Sequence, residues 1–158
     1  MPKTPIVHPV SWPNAAINVG VLVVFVLAGW AVWRSEIGVV VGAFVYVVLS
    51  QTLRRVLCRH HRKAIGHCKR KEFEQAIPEF ERSLAFFRRH EWIDRFRAVT
   101  LLSAAGMCYR EMALVSLGFC HSQIGDGTNA RRYYEMCMVE FPDNGMAEAA
   151  LRLMDAGA

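Results

Sequence analysis

The chain has 158 residues, of which 53% are hydrophobic and 21% charged, with a formal net charge of +5 and a mean hydropathy of +0.18. That apolar content is high for a water-soluble domain, and it is unevenly placed: residues 1–57 hold Lys3, Arg34, Arg54 and Arg55 against one acid, Glu36, whereas residues 58–158 hold fifteen basic and thirteen acidic groups. The partition excludes a single soluble enzyme domain, because only about 100 residues remain for a folded body, which is small for an active-site cleft. It also excludes wholesale disorder.

Residues 1–14 form an N-terminal tail, after which Ala15 to Trp33 run for nineteen residues with Asn18 as the one strongly polar member. At about 1.5 Å rise per residue, such a helix matches a hydrocarbon core of roughly 30 Å. Ile37 to Leu53 add seventeen uncharged residues. Their valine content suggests strand, but an unpunctuated run of this length favours a second helix. Residues 15–53 are thus expected to be a transmembrane helical hairpin (15–33 and 37–53). A secretory signal is the competing reading of the first segment; only Lys3 precedes it and no clean small-residue cleavage site follows. Trp12, Trp30 and Trp33 suit interfacial anchoring or ordinary lipid contact. Gly38 and Gly42 form a G-x-x-x-G pair that lets a second helix approach, either the first helix of the same chain or a helix of another copy.

Residues 54–71 follow as a basic juxtamembrane helix with eight Lys or Arg and no acid, while the loop between the apolar runs offers only Arg34. This asymmetry predicts a multi-pass protein of the inner (cytoplasmic) membrane with both termini cytoplasmic. The five cysteines lie beyond the second helix, in keeping with a reducing compartment. Arg54, Arg55, Arg59, Arg62 and Lys63 are expected to contact anionic lipid head groups, each adding roughly 1 kcal/mol near the surface. Beyond them, residues 72–158 carry nine basic and thirteen acidic groups, so the body is net acidic and unsuited to nucleic acid. Cys58, His60, His61, His67 and Cys68 do not have zinc-finger spacing, fall on different helix faces and lie among cations. No metal site or cofactor is expected.

No proline occurs between Pro13 and Pro78, so the second apolar helix is expected to run on as a stalk through residue 69. Phe73, Ala76, Ile77, Phe80, Leu84 and Phe87 then mark an amphipathic helix in which Pro78 predicts a bend. Trp92, Phe96, Val99 and Leu102 or Ser103 predict a further helix with one apolar face, breaking at Gly106 before a helix from Met107 to Ile124. Asp143 or Asn144 can cap a last helix through Met154.

Within 111–144, Leu117-Gly118, Gly125, Ala130, Tyr134 and Pro142 follow the pattern of a tetratricopeptide repeat, which this segment resembles. His121 stands where the pattern has Tyr, and Cys137 where it has Ala. Gly118 and Ala130 would let two antiparallel helices approach, Gly125 would turn the chain, and Pro142 would end the second helix. Phe73, Ala76, Phe80 and Ser83 align with the second helix of a degenerate earlier repeat whose first helix has Lys63-Ala64 in place of Leu-Gly; Ala76 and Ala130 are 54 residues apart. The expected fold is all-α: a transmembrane hairpin followed by a short tetratricopeptide-like stack over 72–158 with a C-terminal capping helix. The whole layout also resembles membrane-anchored bacterial repeat proteins.

The resemblance implies a scaffold that binds a peptide or helix of a protein partner rather than an enzyme. Helix geometry puts Met112, Val115, Phe119, Ser122 and Gln123 on the free face of the repeat's first helix, or, with so few repeats, in its core. Trp92, Asp94, Arg95, Arg97, Tyr109, Arg110 and Glu111 mix aromatic and charged groups as either an interaction hot spot or an ion-paired helix junction. Cys120 and His121 diverge by about 100° on a helix, which does not make a nucleophile–base pair. The leading expectation is a membrane-anchored cytosolic adaptor. The alternatives are an accessory subunit binding through its hairpin, with homo- or hetero-oligomers in the membrane open to it, and a lipid-surface sensor using the basic stalk.

Overall fold

A computed structural model describes residues 12–103 and 105–157; the remainder of the N-terminal tail, including Lys3, lies outside the described residues. Among these the chain is helical, in the order α1 (Trp12–Trp33), α2 (Glu36–Leu57), α3 (Arg59–Lys69), α4 (Phe73–Arg89), α5 (Glu91–Arg95), α6 (Arg97–Thr100), α7 (Tyr109–Gln123), α8 (Gly127–Glu140) and α9 (Gly145–Ala156). It divides into two compact units, one built from residues up to Leu57 together with Trp92–Cys108, the other from Cys58–Glu91 and the chain from Tyr109 onward.

In the first unit, α1 and α2 pair through a two-residue turn. Arg34 takes a left-handed φ of 47° and donates its N–H to the Trp30 carbonyl at 2.6 Å. The pairing is backbone against backbone. A Cβ placed on Gly29 would come 2.1 Å from the Gly38 carbonyl oxygen, and one on Gly42 would come 2.3 Å from that of Phe25. Both G-x-x-x-G glycines therefore face α1 of the same chain. Phe25 and Tyr46 meet edge to face, centroids 6.0 Å apart. The other faces present Val19, Val23, Val24, Leu27, Val40, Phe44 and Val47 to the surroundings. Both helices are 22 residues long, and both are long and apolar enough to cross a membrane. α2 extends beyond the expected limit at Leu53, so Arg54 and Arg55 stand on its last turn, and the expected unbroken stalk is divided at Cys58.

The single helix expected from Trp92 to the break at Gly106 does not form. Only α5 and the four-residue α6 are helical, because side chains compete for the backbone. Thr100 Oγ1 donates to the Ile93 carbonyl at 2.7 Å, while Arg97 reaches the carbonyls of Ala105 (3.1 Å) and Gly106 (2.8 Å). Leu102 turns left-handed at φ 48°. Of the expected apolar face, Trp92, Phe96 and Val99 are exposed while Leu102 and Ser103 are buried, together with Ile93, Ala98 and Leu101.

The second unit stacks α3 on α4, α4 on α7, α7 on α8, and α8 on α9. Its core contains Ala64, Ala76, Phe80, Leu84, Leu114, Leu117, Cys120, Ala130, Tyr134, Cys137 and Ala147. Pro78 lies within α4 on its exposed side, where the bond it withholds is the one to the Glu74 carbonyl. Asn144 rather than Asp143 caps α9, its side-chain oxygen accepting from Ala147 N at 2.8 Å.

One turn occurs twice. After α3, Glu72 N–H bonds the His67 carbonyl and Lys71 N–H that of Cys68, both at 3.0 Å. After α7, Asp126 N–H bonds the His121 carbonyl at 3.0 Å and Gly125 N–H that of Ser122 at 3.3 Å. Each is a Schellman helix end with a left-handed residue, Lys71 at φ 62° and Gly125 at φ 81°. Each also pairs the same two side chains, His67 Nδ1 with Glu72 Oε2 at 2.7 Å and His121 Nδ1 with Asp126 Oδ2 at 3.0 Å. The second turn repeats the first 54 residues later. The same offset relates Ala64 to Gly118, Ala76 to Ala130 and Phe80 to Tyr134, all buried. A left-handed lysine is strained where glycine is not, so Lys71→Gly is expected to stabilise the chain by about 1 kcal/mol in denaturant titration.

Candidate functional site

The face of α7 gathers Met112, Val115, Phe119, Ser122 and Gln123. Met112 and Val115 are half-buried, and Val115 packs against the core; Phe119, Ser122 and Gln123 are exposed. Phe119 lies edge to face against Phe73 of α4, centroids 5.7 Å apart, so its ring is supported on one side and open on the other. Ser122 Oγ donates to the Phe119 carbonyl at 2.7 Å. Exposed Ile124 and half-buried Phe73, with Lys71, Glu72, Glu74 and Gln75, border a shallow groove of about 220 Å³. The composition is an apolar centre edged by polar and charged groups, a pattern suited to a peptide or helix.

The residues of the mixed cluster are divided between the two units. Tyr109 stacks on Phe87 at 4.8 Å and meets His61 edge to face at 5.2 Å, so it is a packing residue of the second unit. Arg110 pairs with Glu91 at 2.8 Å, and Glu111 accepts from Asn144 Nδ2 at 2.8 Å. Trp92, Asp94, Arg95 and Arg97 belong to the first unit, where Arg95 lies 5.9 Å over the Phe96 ring.

The basic stretch is more structural than its sequence suggests. Lys63 Nζ and His60 Nδ1 each lie 2.7 Å from the buried Glu79 carboxylate, and Arg82 lies 3.1 Å away. Arg59 and Arg62 remain exposed on α3, as do Arg54 and Arg55 on α2. The Lys63 and His60 hydrogen bonds hold Glu79 down at about 2, against an ordinary 4.5. With the folded-state value below the unfolded one, this stabilisation is complete above about pH 4.5 and is lost as pH falls toward 2. Solvent around Lys63 and Arg82 reduces it to about 1–2 kcal/mol. Glu79→Gln is expected to remove that part of the acid dependence, read from unfolding midpoints at pH 6 and pH 3.

The histidines and thiols have separate partners. His60 turns to Glu79, His61 to Ser83 at 3.4 Å, and His67 to Glu72. Cys68 and Cys120 approach to 3.5 Å, and the hydrogen bond between them lowers the Cys68 thiol while it and burial push Cys120 up. His121 is held by Asp126 and stacks on Tyr133. Among the described residues, no group of three or more His, Cys, Asp or Glu is placed to hold a metal ion.

The Glu79 hub, the Asn144–Glu111 link and the paired His–acid turns were missed by sequence reasoning. A signal for the last was present as His-x4-Glu and His-x4-Asp at the repeat offset. Comparisons with protein-family models, with curated proteins and with solved structures give no match.

Proposed function

We propose that the chain is a membrane-anchored adaptor. In this reading α1 and α2 span the inner membrane with both ends of the chain cytoplasmic, and the second unit is a short tetratricopeptide-like stack that binds a protein partner through the α7 face. The observation that carries it is the recurrence of one helix–turn–helix unit, α3–α4 and α7–α8, with the same Schellman geometry and the same His–acid pair. Tandem helix pairs of this kind expose a side of their first helices, and here that side offers Phe119, Ser122 and Gln123. The topology rests on Arg54 and Arg55 at the end of α2 and six further cations before residue 72, against Arg34 alone in the turn.

Crosslinking and co-purification in mild detergent test the reading with two variants, one with the hairpin replaced by an unrelated membrane hairpin and one carrying Phe119→Asp. The adaptor keeps its partner in the first and loses it in the second. A partner lost from the swapped protein, though that protein reaches the membrane, identifies an accessory subunit bound through the hairpin. Charge reversal at the exposed Arg59 and Arg62, leaving Lys63 to its pair with Glu79, that abolishes membrane-dependent behaviour, with the partner retained, identifies a lipid sensor.

A further inference from the structure

We propose that residues 92–100 form an interfacial foot, with Trp92, Phe96 and Val99 seated in the head-group boundary of an anionic bilayer; this rests on the reading of α1 and α2 as spanning helices. The three side chains stand four and three residues apart and are 60%, 58% and 56% exposed, whereas Ile93, Ala98 and Leu101 on the other side are 6%, 5% and 0% exposed. The segment thus keeps its larger apolar groups on its outer side.

Its place in the first unit says what covers them. Asn14, in the first turn of α1, donates Nδ2 to the Ala105 carbonyl at 3.4 Å, and Arg54, in the last turn of α2, donates Nε to the Leu101 carbonyl at 3.0 Å and Nη2 to that of Leu102. Those contacts tie Leu101, Leu102 and Ala105 to the end of the hairpin where the chain enters α1 and leaves α2. In a hairpin that crosses a bilayer, that end is at head-group level. Trp12, 82% exposed, begins α1 at the same end. Tryptophan and phenylalanine are favoured at this depth, and apolar side chains flanked by arginine are the composition of elements lying in the interface plane.

The charge fits an anionic surface. Arg54, Arg55, Arg95 and Arg97 stand at this end or in the segment, and the one acid among the described residues of 92–108, Asp94, is buried. Each exposed arginine adds attraction to acidic head groups, while Phe96 and Val99 supply the burial.

The test uses the full chain in vesicles of phosphatidylcholine and phosphatidylglycerol, with Trp12, Trp30 and Trp33 replaced by phenylalanine so that Trp92 alone fluoresces. A second protein also has Trp92→Phe and carries Val24→Trp, an exposed mid-helix position of α1. Lipids brominated near the carbonyl are expected to quench Trp92 at least roughly twofold more than lipids brominated near the chain end, with the order reversed for the Val24→Trp reporter. Removing phosphatidylglycerol is expected to weaken the Trp92 signal. Trp92 quenched by aqueous acrylamide and by neither bromolipid, with the reporter still quenched, overturns the foot and leaves the spanning hairpin standing. If the reporter also escapes both bromolipids, the hairpin reading falls and the foot with it. Equal Trp92 quenching with and without phosphatidylglycerol overturns the anionic preference.

Discussion

Replacing Gly42 by valine is expected to split the α1–α2 hairpin. A Cβ there would come 2.3 Å from the Phe25 carbonyl oxygen and 3.1 Å from the Val26 Cα. These are backbone atoms of a hydrogen-bonded helix, so rotamer changes cannot relieve the clash. In lipid, helix association depends on close packing rather than on exclusion of water, and the small-residue contact supplies most of it. Gly42→Val is expected to widen the pair by about 2–3 Å and to weaken it by about 2 kcal/mol or more. Paired spin labels at the outward-facing Val24 and Val47 read the separation. Gly20→Val is the matched control, because a Cβ at Gly20 has nothing within 4 Å. An unchanged distance in Gly42→Val would remove the close-packed hairpin.

The second large effect is expected at Gly118, in the body. Its Cβ would come 2.6 Å from Tyr134 Cε1 and 2.8 Å from Cδ1 and Cζ, inside the α7–α8 contact. Tyr134 is itself buried, so the ring has little room to retreat, and Gly118→Val is expected to destabilise the body by about 3 kcal/mol. Unlike the hairpin clash, this one involves a side chain. Adding Tyr134→Ala should therefore recover part of the loss, and the double variant should be less destabilised than the two single changes summed. Thermal unfolding followed by circular dichroism measures the set, with Gly127→Ala, where a Cβ meets open space, as the neutral control. Strict additivity would mean that Gly118 and Tyr134 do not pack as described.

Where sequence and structure agree, one physical signal dominated its stretch of chain. Two uncharged runs separated by Arg34-Ser35-Glu36 are too long and unpunctuated for ordinary strands, and α1 and α2 are the helices that their length favours. Their limits were less legible: Arg54 and Arg55 are polar enough to end an apolar run but are good helix formers, so α2 continues to Leu57. In the body, Leu117-Gly118, Gly125, Ala130 and Tyr134 each meet a packing or turn requirement and could be read directly. The matching turn at His67–Glu72 was obscured because a strained lysine occupies the place of its glycine.

Residues 92–108 were misread for a different reason. Their period of three and four is helical, but periodicity does not say whether an apolar face turns toward protein or away from it. Nor does it reveal that Thr100 and Arg97 draw carbonyls out of a helical ladder. The candidate binding face was legible as positions on one helix. Tyr109, grouped with Trp92 and Arg95 for its mixture of aromatic and charged neighbours, packs on Phe87, a contact that the sequence pattern does not announce.

The most direct test of the membrane-anchored account is topology. An alkaline phosphatase that becomes active only after export is joined to the C-terminus in one fusion and inserted at Ser35 in another, and both are expressed in bacterial cells. The account predicts that both fusions fractionate with the membrane, with phosphatase activity from the Ser35 fusion and none from the C-terminal one. Activity at the C-terminus, or recovery of the intact chain in the soluble fraction, would contradict it.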